Sequence, residues 1–135
     1  MSETTTIHRR VHFHTAGRRK VLREGPPAPQ KPHPPGRIPR IARLMALAIH
    51  LEHLVRSGHV QDYAAVAKLG HVTRARVTQI THLALLAPDI QEAILFLPRV
   101  HRGRDPIIER GLRPIVAAAG WQKQRQMWSR LMGNP

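Results

Sequence analysis

Seven of the chain's twelve prolines fall between positions 26 and 39, in the run GPPAPQKPHPPGRIP. Each proline removes a backbone N–H and drives the residue before it out of the α region. Neither a helix nor the interior of a sheet can cross such a stretch. The run predicts an extended linker with polyproline II character, and it divides the 135-residue chain in two. Upstream, residues 7–23 alternate only weakly, at Val11 and Phe13, which suits a short strand formed on a partner. Residues 1–37 therefore read as a disordered, basic, proline-rich arm. What remains downstream, roughly 100 residues, is the size of one ordinary domain.

Charge follows the same division. The formal net charge of +14 separates into +7 over residues 1–40, +1 over 41–97 and +6 over 98–135. Basic blocks on either side of a nearly neutral middle suit a polyanion, because each Lys or Arg beside a phosphate releases condensed counterions. The chain has no cysteine, which excludes a disulfide framework, a thiolate zinc site and a nucleophilic thiol. His50 and His53 are three apart, but Glu52 falls on another helical face, so no closed metal site is expected. A Gly-rich phosphate loop, a nucleophile elbow and a carboxylate pair are also missing, so the reading is a non-enzyme without cofactor. No apolar run approaches the roughly 20 residues of a spanning helix. The first ten residues lack the apolar core of a secretory signal. The expected setting is the cytoplasm, on the nucleoid and away from membranes.

Beyond Pro39 the pattern becomes helical. Ile41, Leu44, Met45, Ala48, Leu51, Leu54 and Val55 recur in steps of three and four, predicting a helix over 40–57 closed by Gly58. Asp62 caps a second over 62–69, with Tyr63, Val66 and Ala67 inward. Thr73 caps a third over 74–86, with Val77, Ile80 and Leu83 or Ala84 on one face. Pro88 opens a fourth, reaching Phe96. Asp105-Pro106 predicts the cap and first turn of a fifth, carrying Ile107, Ile108, Leu112, Ile115 and Val116 and kinked at Pro114. Gly120 separates it from a sixth over 121–132, where Trp121, Met127, Trp128 and Leu131 cluster. The reading is all-α: a small helical bundle, with a domain over 38–97 and a basic helical extension over 98–135.

Residues 63–83 have the internal logic of a helix-turn-helix. That motif needs a small residue where two helices cross, a tight turn with a hydrophobic plug, a capping hydroxyl and two apolar anchors. Ala67, Val72, Thr73, Val77 and Ile80 stand at those places. The turn position is His71, with the glycine one residue early at Gly70, so a left-handed conformation is asked of a non-glycine. The run DYAAVAKLGHVTRARVTQITHLALLAPDIQEAI resembles the helix-turn-helix of the ParB/KorB partition-protein family. There a capping hydroxyl and arginine open the recognition helix, and Leu-x-Pro-acidic-x-Gln-Glu follows. Thr73-Arg74, residues 83–86, Pro88-Asp89 and Gln91-Glu92 match, within about residues 38–97. The family's nucleotide-binding sequence and arginine box are absent. The resemblance therefore implies DNA binding by the helical core, and neither CTPase activity nor partition.

A recognition helix offers its N-terminal, outward residues to base edges in the major groove. The candidates are Arg74, Arg76, Thr78, Gln79 and His82; arginine can grip guanine O6 and N7, and glutamine adenine N6 and N7. Backbone contacts are expected from Thr73 at the helix N-terminus and from Lys68, Arg37, Arg40, Arg102 and Arg104. Arg18, Arg19, Lys20 and Arg37 are candidates for an arm in the minor groove. The expected function is sequence-specific binding of duplex DNA, as a regulator or an accessory factor in recombination or partition. Two other classes fit the same composition: a basic RNA-binding protein, and an adaptor docking through its C-terminal helices. The expected partners are duplex DNA, a recombinase or other DNA-processing protein, and a second copy of the chain.

Overall fold

The computed structural model describes residues 2–29, 31–32 and 34–133. They form six α-helices, a short 3₁₀ turn and a two-stranded antiparallel sheet. Two compact units result, Met1–Pro34 and Pro35–Pro135.

The first unit overturns the all-α expectation and, with it, the disordered arm. β1 (Val11–Ala16) pairs antiparallel with β2 (Arg19–Glu24), from Val11 opposite Glu24 to Ala16 opposite Arg19. The Gly17-Arg18 turn has positive φ only at Gly17, 64°, the pattern of a type II′ turn with glycine first. Pairing persists past the strands, with Gly25 N donating to Arg10 O at 2.6 Å. Polar residues stand on both faces, which blurs the alternation that would have announced these strands. One face holds Val11, Phe13, Thr15, Lys20, Leu22 and Glu24; the other holds His12, His14, Ala16, Arg19, Val21 and Arg23. No strand residue is buried.

In the second unit, α1 (Arg40–Arg56) buries Ile41, Ala42, Met45, Ala48 and Leu51 and stops where Gly58 takes φ 78°. α2 (Tyr63–Leu69) and α3 (Arg74–Thr81) carry the predicted caps. Asp62 Oδ1 accepts from Ala65 N at 2.8 Å, and Thr73 Oγ1 from Arg76 N at 3.2 Å. α3 is shorter than predicted: His82–Leu85 tighten into a 3₁₀ turn. Ala87 is then extended, ψ 142°, as a residue before proline must be. α4 (Pro88–Leu95) starts on its proline.

The core joins Met45, Ala48, Ile80, Leu83, Leu86, Ile90 and Ile94 to Ile107, Leu112 and Ile115. Residues beyond 97 thus share the hydrophobic core of 38–97 within one unit, rather than extending from it. α5 (Glu109–Ala117) begins later than the Asp105-Pro106 signal predicts. The Asp105 carboxylate is engaged elsewhere: Oδ2 accepts from Arg40 N at 2.8 Å and Oδ1 from the Arg37 guanidinium at 2.6 Å. α6 (Trp121–Leu131) enters the core through Gln124, 3% exposed. Its Oε1 accepts from Ala87 N at 2.8 Å, and its Nε2 donates to Leu85 O at 3.3 Å and Ala118 O at 3.4 Å. Trp128 packs against the core, whereas Trp121 is half exposed, with Arg125 6.0 Å above its ring. No helix among the described residues is long and apolar enough to cross a membrane.

Candidate nucleic-acid interface

The site is built on the connection between α2 and α3. His71 takes φ 52°, the one described non-glycine residue in the left-handed region. Gly70 is an ordinary right-handed helix end at φ −84°. Backbone bonds close the turn: Gly70 N donates to Val66 O at 2.9 Å and Val72 N to Ala67 O at 3.1 Å. Ala67, Val77 and Ile80 are buried as the spacing predicts, at 6, 2 and 8% exposure. Val72 is not the plug expected of it. It is 48% exposed, and the turn is held by its backbone rather than by that side chain.

With Val77, Ile80 and Thr81 inward, α3 presents Arg74, Ala75, Thr78 and Gln79 to solvent, whereas the predicted reader His82 is exposed in the 3₁₀ turn beyond its end. Thr78 Oγ1 donates to Arg74 O at 3.0 Å, so toward an incoming ligand the hydroxyl offers acceptance. Arg76 departs from the outward set. Its Nη1 donates to both carboxylate oxygens of Glu109, at 2.8 and 2.9 Å, and to Gln79 Oε1 at 3.2 Å. The two charged side chains are 29 and 17% exposed. Arg76 is thereby tied to Glu109 of α5 instead of standing free on the solvent face of α3. Gln79 Oε1 accepts from Arg76 through one of its two lone pairs, which leaves the other, and the amide N–H groups, for an adenine edge. A groove of about 400 Å³ runs beside α3, lined by Gln79, His82, Leu83, Leu85, Glu109 and Arg113 among others.

The expected backbone contacts fall in different places. Lys68 and Thr73 are exposed at the two sides of the turn, Arg40 at the start of α1, and Arg102 and Arg104 in the loop before α5. Arg37 is no mobile arm residue. Its backbone pairs with Val100 in both directions, at 3.0 and 2.9 Å, and its guanidinium also donates to Gly103 O at 2.8 Å. Beside it, Gly36 lies so close to Arg99 and His101 that an added Cβ would sit 3.0 Å from both side chains. Arg18, Arg19 and Lys20 lie in the hairpin unit, at its turn and the start of β2.

Two carboxyls are held below the usual range. For Asp105 the main cause is the Arg40 backbone N–H, aided by the Arg37 guanidinium; for Asp89 it is the Arg125 guanidinium. Glu109 and Gln124 escaped the sequence reading, since nothing local marks an acid or amide whose partner lies 33 or 37 residues away. No three His, Asp or Glu side chains among the described residues are grouped to hold a metal ion. No family model, curated protein or solved structure matches this chain.

Proposed function

We propose that the helical unit binds duplex DNA, with α2 and α3 as a helix-turn-helix and α3 as its recognition helix. The observation that carries this reading is the solvent face of α3. It offers Arg74, Thr78 and Gln79 around the small Ala75, with His82 exposed in the 3₁₀ turn that follows, and no acid occurs between positions 69 and 88. The Thr73-capped end directs backbone N–H groups outward, where they suit a phosphate. Arg74, Thr78, Gln79 and His82 read bases. Lys68, Thr73, Arg40, Arg102 and Arg104 meet the backbone. Arg76 acts through others: bound to Glu109, it fixes Gln79 and ties α3 to α5. A regulator or accessory factor in recombination or partition is the role that fits a module of this size.

Selection of bound fragments from random duplexes at about 150 mM salt, beside single strands and structured RNA, tests the reading. A defined duplex motif is expected, palindromic if two copies bind together. Arg74→Ala should relax one position of that motif by roughly 1–3 kcal/mol. Lys68→Ala should instead weaken all sequences alike and lower the salt slope by about one. A preference for RNA overturns the proposal.

A further inference from the structure

We propose that the hairpin is a second DNA-reading element, entering the major groove as a two-stranded ribbon with its His12, His14, Arg19 and Arg23 face toward the bases. The inference rests on the DNA-binding reading of the helical unit and extends it to a different surface.

The two faces of the hairpin differ in chemistry. One carries Val11, Phe13 and Leu22 beside Thr15 and Lys20, with Glu24 engaged by Arg9 at 3.0 Å. The other carries His12, His14, Arg19 and Arg23 around Ala16 and Val21, without an acid. His12 stands directly opposite Arg23. His12 Nδ1 donates to Gly25 O at 2.9 Å, while Arg19 and Arg23 have no acid on their face, and an anionic partner is what would neutralise them. The tip adds Arg18, so the end of the ribbon is cationic too.

Dimensions match the same partner. Side chains on one face of a strand recur about every 6.7 Å, and base pairs of duplex DNA stack about every 3.4 Å. Arg19 and Arg23 on one face therefore span about four base steps. The major groove, about 12 Å wide, admits a two-stranded ribbon, whose strands lie about 4.8 Å apart. The second face, with Phe13 opposite Leu22, then looks away from the bases.

The test uses the full chain on a 40-base-pair duplex carrying the selected motif, with dimethyl sulfate protection of guanine N7 and adenine N3 as the readout. Arg19→Gln/Arg23→Gln, both exposed positions, should remove a block of N7 protections distinct from the block lost in Arg74→Ala. Affinity should fall roughly 5- to 150-fold per lost contact. An unchanged footprint and affinity, while Arg74→Ala still acts, overturns the ribbon and leaves the helical reader standing. Protection at adenine N3 alone, marking the minor groove, overturns it as well. So does loss of a two-copy complex in Phe13→Ser/Leu22→Ser with the arginine pair silent, which assigns the hairpin to self-association. If the full chain binds no duplex, both readings fall together.

Discussion

Leu112 on α5 is completely buried, whereas Phe13 on β1 is 74% exposed. The contrast runs through the two units that contain them. In the helical unit every helix packs into a shared interior, and side-chain caps close the starts of α2 and α3. In the hairpin unit order comes from one glycine turn and a six-pair register, and no strand residue is buried. An isolated two-stranded hairpin is marginal in water, so its geometry depends on local pairing, while that of α3 depends on side chains far away in sequence. Both units carry cationic surface, and they differ in what would fix that surface in space. The helical unit pre-organises its readers, and the hairpin leaves them to be ordered by whatever it meets.

The largest test of this contrast is truncation of one apolar side chain in each unit. Leu112→Ala should destabilise the helical unit by about 2–5 kcal/mol and lower the midpoint for α2 and α3 along with α5. Phe13→Ala should change the stability of that unit by no more than about 0.5 kcal/mol. Denaturant unfolding of the full chain, followed by helical circular dichroism, measures both. A large effect of Phe13→Ala would show that the hairpin is part of the same cooperative interior. Next in size is Gln124→Met, which leaves the Ala87 N–H and two carbonyls without their buried partner. A loss of roughly 1–3 kcal/mol is expected in the same experiment.

The smallest effect concerns acid. A carboxyl whose pKa is lowered on folding contributes stability above its unfolded pKa, near 3.9. That contribution is lost as pH falls through the folded value. Asp105, lowered by the Arg40 N–H and the Arg37 guanidinium, should therefore make the helical unit lose stability below about pH 4. Asp105→Asn should flatten this part of the stability curve while reducing stability at neutral pH. Equal acid sensitivity in the variant would remove Asp105 from the account.

What the sequence made legible follows from how far apart the partners stand. Asp62, Thr73, Pro88 and Gly58 act within a turn of themselves, and their helix ends came out as expected. Ala67, Val77 and Ile80 obey the helical period and are buried. The hairpin was obscured because Val21 shares a face with His12 and Arg23, so neither strand alternates cleanly. Arg76 looked like a base reader because its own helix faces it outward. Only Glu109, 33 residues on, turns it aside. Arg37 was placed in a mobile arm because the 68 residues to Asp105 hide their pairing. Local chemistry was readable, and single long-range partners were not.

Gln124 also has a consequence in time. The amide it supplies to Ala87 is encoded 37 residues later. At roughly 5–20 residues per second of synthesis, the link between α3 and α4 waits about two to seven seconds for that partner. During this interval α1 to α4 can form their helices, but the Ala87 N–H remains dependent on water. The final clasp on the proposed DNA reader is thus delivered by the C-terminal helix, so the nascent chain reaches its finished surface only after α6 has been made.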